Sequence, residues 1–364
     1  MLPLRWAAPG PIDELSAYLR GIAGEVDEIL VVDGSPPEVF NAHAAALRGV
    51  ARHLRPDPEL DFRMGKVNGV VTGLRECSHE RVVIADDDVR YEPAALRRTA
   101  ALLGEADLVR PQNYFDELPW HACWDTARSL LNRVFSGDPE FPVGDFPGTL
   151  AVRRSVFLSS GAYDGDALFE NLELMRTIRA AGGRVITPLD LYVARRPPTA
   201  AHFLSQRVRQ AYDDFAMPGR LAAYLAIGPL ALGQARRRRW PRLALAAASA
   251  VGVAELGRRR AGGAERFPFS GSLLAPAWIA ERAACSWLAV GERLAGGVRY
   301  GDRRLPLAAN SLRVLRRRYA ESRASGFGSE SDGPSSESAS TDSTSGASEG
   351  DAAKPLSARN RVVL

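Results

Sequence analysis

Short β-branched runs alternate with helically spaced apolar residues through the first 216 positions, and this alternation limits the fold more than any other feature. Ile29–Val32 (ILVV) ends at the turn Asp33-Gly34-Ser35-Pro36-Pro37, and Val82–Ala85 (VVIA) ends at Asp86-Asp87-Asp88. Leu108-Val109, Leu150–Val152 and Val185-Ile186 read as further short strands. Apolar residues at 12, 15, 19 and 22 predict a helix over Ile12–Ile22. Helices are also predicted over 38–54, 67–74, 94–103 (opened by Pro93), 118–135 and 168–181, the last closed by Gly182-Gly183. Short strands separated by helices imply an α/β fold with a mostly parallel sheet flanked by helices on both faces. In such folds ligands bind beyond the carboxyl ends of the strands, where both acid-bearing turns fall.

The formal charge of +4 is the balance of unlike segments. Residues 1–216 carry 24 basic and 31 acidic side chains, whereas 217–318 carry 19 arginines against 5 acids. An acidic first part excludes a nucleic-acid groove there, because binding a phosphate backbone needs clustered positive charge. Residues 325–351 hold six acids, no base and almost no apolar side chain, a composition too polar to offset ordering entropy, and read as disordered. Three distant cysteines give no disulfide framework and fit a reducing compartment. The N-terminus lacks a signal-like apolar run, which places the first domain in the cytoplasm as an expectation.

Three adjacent carboxylates repel one another and are costly to desolvate. At a strand end, Asp86, Asp87 and Asp88 point to a hard divalent cation, Mg²⁺ or Mn²⁺, shared with substrate phosphates. A solvated acidic turn is the other reading. Of 47 basic residues only Lys66 and Lys354 are lysine, and Lys66 follows Gly65, which permits close backbone approach. Lysine is a compact point charge suited to phosphate, although an exposed lysine is the commoner case.

In order along the chain, Asp33-Gly34-Ser35, Gly65-Lys66-Val67-Asn68 and Asp86-Asp87-Asp88-Val89 resemble a family 2 glycosyltransferase of the GT-A fold. Lys-Val-Asn followed by an acidic turn with Val89-Arg90 is similar to the ceramide glucosyltransferase branch. Gly148–Arg154 resembles the family's strand and Arg-rich turn beside the acceptor. Phe169-Glu170-Asn171-Leu172-Glu173-Leu174 resembles its Glu-Asp-x-x-Leu helix start, and Gln206-Arg207-Val208-Arg209-Gln210 its Gln-x-x-Arg-Trp motif. The resemblance implies inverting sugar transfer from a nucleotide-sugar donor, a UDP-sugar first among them, to a lipid or lipid-linked acceptor, with Mg²⁺ or Mn²⁺. It implies a donor site of Asp33, Ser35, Lys66, Asp86, Asp87, Gln206 and Arg209, with Asp88 and Asp86 on the metal. The family's general base is an Asp where this chain has Asn171, whose amide takes no proton at neutral pH. Glu170, next to that position, and Glu173, three residues on, remain as bases, or both simply cap the helix. The family's Trp is replaced by Gln210. Two other readings stay open: a polysaccharide glycosyltransferase, and a nucleotide-sugar-binding protein that has lost its base.

His121-Ala122-Cys123 reads as packed helix rather than a metal pair, and Trp120 and Trp124 as core or as acceptor lining. Beyond 216, Leu221–Gly233 and Leu243–Leu256 are apolar runs separated by Arg236–Arg239, Trp240, Pro241 and Arg242. A second pair, Leu273–Ala280 and Ala283–Val290, is split by Glu281-Arg282. The first two runs are shorter than the roughly 20 residues a spanning helix needs. A basic, membrane-associated helical module over 217–318 is expected, lying on the cytoplasmic leaflet as a hairpin or interfacial helices, with spanning helices or a soluble subdomain as alternatives. The expected organisation is therefore a catalytic domain over 1–216, this module, and a disordered tail over 319–364, at the cell membrane with the catalytic domain on its cytoplasmic side.

Overall fold

The computed structural model describes residues 1–8, 10–136, 148–161, 163–301, 303–327 and 362–364. In chain order the α/β part comprises β1 (Leu2–Leu4), α1 (Ile12–Ile22), β2 (Leu30–Asp33), α2 (Pro37–Ala46), β3 (Arg52–Leu54), α3 (Gly65–Glu76), β4 (Arg81–Ala85), β5 (Val89–Arg90) and α4 (Pro93–Leu102). It continues with β6 (Leu108–Val109), β7 (Gln112–Phe115), α5 (Trp120–Phe135), β8 (Thr149–Arg153), α6 (Arg154–Ser160), α7 (Glu170–Ala180), β9 (Val185–Ile186), β10 (Tyr192–Arg195), α8 (Ala200–Ser205) and α9 (Arg207–Tyr212). Helix α1 has the predicted bounds because Leu15, Leu19 and Ile22 bury one face of it.

β1, β2 and β3 pair in parallel. Met1 carries the ladder on to β4: its amino group donates to Val83 O at 2.8 Å, and its carbonyl accepts from the Ala85 N–H at 3.1 Å. Next to β4 lie β8, β6 and β9, and β8 runs antiparallel to both β4 and β6. The sheet is thus parallel on one side and mixed on the other. β1 is short, and Val363 bridges Glu28 and Val82 beyond it, so the buried residues Val362–Leu364 occupy the place a longer β1 would fill. A small second sheet, β5-β10-β7, stands beyond the acidic turn of β4.

The helix predicted over 38–54 stops at Ala46. Gly49 takes φ +72°, and the chain re-enters the sheet as β3, whose polar Arg52-His53 sequence hides a strand. The helical module contains α10 (Pro218–Arg236), α11 (Trp240–Arg259), α12 (Phe269–Leu273) and α13 (Ala275–Leu294), followed by the hairpin β11 (Val298–Tyr300) and β12 (Arg303–Leu305). The two apolar runs split by Glu281-Arg282 form one helix, α13, because those charged residues face inward rather than out. Helix α14 (Leu312–Phe327) runs across the expected boundary at 318 and packs back on α7. The rest of the Ser/Gly/acid-rich tail, apart from 362–364, lies outside the described residues.

Ala127, Leu130, Ala254, Phe267, Ala275 and Trp278 form a core that joins α5 to the module. Among the described residues no helix is long and apolar enough to cross a membrane. Helices α10 and α11 nevertheless expose Leu230, Leu232, Leu245 and Leu256, with Trp240 and Arg236–Arg239 at their junction.

Candidate active site

The carboxyl end of β4 delivers Asp86, Asp87 and Asp88 to a cleft of two cavities. The larger-lined one, of about 320 Å³, lies between the sheet and the helical module. The other, of about 440 Å³, is bounded by Leu4, Arg5, Gly34, Gly65, Asn68 and Asp87. Lys66 and Asp86 border both.

Lys66, in the first turn of α3, places Nζ 2.6 Å from Asp86 Oδ1 and 2.8 Å from Glu170 Oε1. Burial alone would lower the ammonium's pKa, but the two carboxylates outweigh it and raise it well above the usual lysine range. Burial pushes the Glu170 carboxyl up, and Lys66 outweighs this, so the net shift is downward. For Asp86 burial prevails over Lys66, with Asp88 adding to the upward shift. A Cβ on Gly148 would stand 2.5 Å from Asp86 Oδ2, so a larger residue there would displace the Asp86 carboxylate.

Asp88 Oδ2 accepts from Arg195 Nε at 2.6 Å, while its Oδ1 is buried with no hydrogen-bond partner among the described residues. A buried carboxylate oxygen without a donor is what a metal ligand looks like before its cation arrives. Asp88, with Asp86 beside it, therefore fits a hard divalent ion, although no group of three or more His, Cys, Asp or Glu is gathered for one among the described residues. Asp87 accepts from Trp6 Nε1 at 2.5 Å and borders the second cavity.

Other expected site residues fall elsewhere. Asp33 is 0% exposed. Its Oδ2 meets His43 Nδ1 at 2.7 Å and His53 Nε2 at 3.0 Å, and its Oδ1 accepts from the Ser35 N–H. Burial raises its pKa, but these hydrogen bonds prevail and hold the carboxyl far below the usual range. Ser35 is buried too, accepting from the Trp6 N–H. Neither lines either of the two cavities; from that turn it is Gly34 that borders the second one. Glu173 is also 0% exposed, accepting from Asn310 N at 2.7 Å and Nδ2 at 2.8 Å, so it anchors the segment before α14. Glu170, Asn171, Gln206 and Arg209 all line the first cavity, with Arg209 Nη1 donating to Gln206 Oε1 at 3.0 Å. Trp124 donates to Glu281 in the module interface, Trp120 is exposed at the surface, and Cys123 contacts Ser270 while His121 faces the cavity, in keeping with a packed helix.

Sequence reasoning missed four cavity groups. Arg195 reaches Asp88 only because β10 pairs with β5 across about a hundred residues of chain. Asp213 follows the Gln-x-x-Arg motif, and burial, only partly offset by Arg209 and Arg282, pushes its carboxyl up to about 7. Arg282 and Trp278 belong to α13, and two neighbouring acids, Asp213 and Asp214, were the only local signal in this region.

In sequence, the chain matches no family model and no curated protein. Solved structures do match. Glucosyl-3-phosphoglycerate synthase from Mycobacterium tuberculosis, in complex with Mn²⁺, UDP and glucosyl-3-phosphoglycerate, is 20% identical over 56% of this chain and 74% of that one, with a TM-score of 0.39. A mannosyltransferase from Pyrobaculum calidifontis, in complex with GDP-mannose and Mn²⁺, is 17% identical over 91% of this chain and 86% of that one, with a TM-score of 0.43.

Proposed function

We propose that this chain is an inverting, divalent-metal-dependent glycosyltransferase that moves a sugar from a nucleotide-sugar donor to a hydroxyl of a lipid or lipid-linked acceptor. The observation that carries the reading is Lys66 bridging Asp86 and Glu170 at the end of β4, next to a buried Asp88 oxygen with no donor among the described residues. The nucleotide enters the cavity beside Gly34, Gly65 and Asn68, and its diphosphate lies by Lys66. Asp88 and Asp86 would hold Mg²⁺ or Mn²⁺, which acts as a Lewis acid on the departing diphosphate. Lys66 adds positive charge where that group gathers its negative charge. Glu170 takes the proton of the acceptor hydroxyl as its oxygen bonds to the sugar's anomeric carbon and the bond to the diphosphate breaks. Gln206 and Arg209, which the resemblance assigns to the donor, line the first cavity rather than the nucleotide one, and with Asn171 they orient the acceptor.

The exposed leucines of α10 and α11 beside Arg236–Arg239 favour an interfacial seat on an anionic membrane surface, with the catalytic domain on the cytoplasmic side. Incubating the full chain with lipid extract and labelled nucleotide sugars tests both parts. Label should enter the organic phase only with Mg²⁺ or Mn²⁺ and not with Asp88→Asn. Label confined to water-soluble products would overturn the lipid acceptor.

A further inference from the structure

Two arginines of the first cavity make no hydrogen bond or ion pair to a carboxylate among the described residues. Three of its arginines are paired: Arg128 with Asp125 at 2.8 Å, Arg195 with Asp88 at 2.6 Å and Arg220 with Asp214 at 2.7 Å. Two are not. Arg282, on α13, is 5% exposed; its Nη1 is buried with no hydrogen-bond partner, and its guanidinium stands 5.1 Å from the Trp278 ring. Among the described residues Arg209, on α9, meets the neutral Gln206 amide oxygen and the Tyr300 ring, 4.8 Å away, and no carboxylate within ion-pair distance.

Arg209, Arg282, Asp213 and Glu170 all line this one cavity, and Asp213 feels both guanidiniums. The two guanidiniums therefore converge on one region of the cavity, beside the group that takes the acceptor's proton. A buried donor left unsatisfied is costly. Water can accept a hydrogen bond there but brings no charge. Arg presents a planar fork of donors that matches phosphate-class oxyanions.

We infer that the acceptor carries a phosphate-class oxyanion, seated on Arg282 and Arg209, so that the helical module recognises the acceptor as well as anchoring the chain. This rests on the donor-cleft reading above. The oxyanion belongs either to a lipid headgroup or to a soluble phosphate ester, since both present the same oxygens.

Sulfate, whose charge is constant around neutral pH, is the probe. Calorimetric titration of the full chain should show saturable sulfate binding, weakened about tenfold or more by Arg282→Gln and, independently, by Arg209→Gln. Arg153→Gln, which removes a surface arginine far from the cavity, should leave it unchanged. Absence of saturable binding, or equal binding in Arg282→Gln and Arg153→Gln, would overturn the inference. Should Arg282→Gln not fold, Arg209→Gln decides alone. UDP with Mn²⁺, titrated on the same samples, reads the donor site separately. Wild type that binds sulfate but not UDP would sink the donor reading, and with it the assignment of the seat to an acceptor. Displacement of sulfate by glycerol 3-phosphate but not by phosphatidylcholine vesicles containing phosphatidic acid assigns the soluble source, and the converse assigns the headgroup.

Discussion

Arg207→Met tests whether the module is fastened to the catalytic domain as the structure has it. Arg207 is 8% exposed. It donates to Glu281 through Nε at 2.9 Å and Nη2 at 2.6 Å, to Asp125 at 3.1 Å and to Gln210 at 2.9 Å, tying α9 to α13 and α5. Removing one partner of a buried ion pair costs about 3–5 kcal/mol. Glu281 is 24% exposed and keeps the Trp124 indole, and Asp125 keeps Arg128, which sets the expected loss near the low end, about 3 kcal/mol. The pH dependence has a definite sign. Burial raises the pKa of Asp125 and Glu281, but their arginines outweigh it, and both carboxyls end below their usual range. Groups depressed in the folded state contribute stability above the unfolded pKa, near 4, and lose it as pH falls through the folded value. The gap between wild type and variant should therefore be widest at neutral pH and narrow below about pH 4. Urea midpoints followed by tryptophan fluorescence measure it, since Trp124 and Trp278 lie in this interface. The double variant Arg207→Met/Glu281→Met should recover most of the loss, because no uncompensated charge stays at Glu281. An unchanged midpoint at pH 7, or a gap that widens on acidification, would refute the reasoning.

Three further outcomes are expected. Glu170→Gln should lower sugar transfer by about 10²- to 10⁴-fold with the melting point nearly kept; Glu173→Gln should instead cost about 1–3 kcal/mol of stability through its lost bonds to Asn310, with activity retained in the folded fraction. Turnover kept in the first variant and lost in the second would reverse the assignment of the base. Lys66→Arg should weaken UDP binding several-fold, since a planar fork cannot reproduce one nitrogen lying 2.6 and 2.8 Å from two carboxylates, and unchanged affinity would reduce the lone lysine to coding bias. Val363→Asp should lower stability by about 3 kcal/mol or more in a urea titration, because it buries a charge between Glu28 and Val82, whereas a neutral effect would show that the last residues do not complete the sheet.

What the sequence made legible was local. β-branched runs marked β2 and β4, spacing marked α1, and the rarity of lysine singled out Lys66 before any contact was known. What it hid depended on distant partners. Asp33 looked like a ligand-facing carboxylate because it ends a strand, yet His43 on α2 and His53 on β3 close over it. Glu170 and Glu173 share a helix and a charge, and their different surroundings come from partners far apart in the chain, Lys66 for the first and Asn310 for the second. The apparent break at Glu281-Arg282 was an inward-facing pair on one helix, since apolar patterning cannot distinguish a buried ion partner from a solvent-facing loop.

The donor reading is tested most directly by titrating UDP into the full chain with Mn²⁺, with EDTA, and with Asp88→Asn. Saturable binding in Mn²⁺, weakened about tenfold or more by either the chelator or the substitution, is the predicted result. Absent binding, or equal affinity in all three samples, would contradict a metal-bridged nucleotide site at the end of β4.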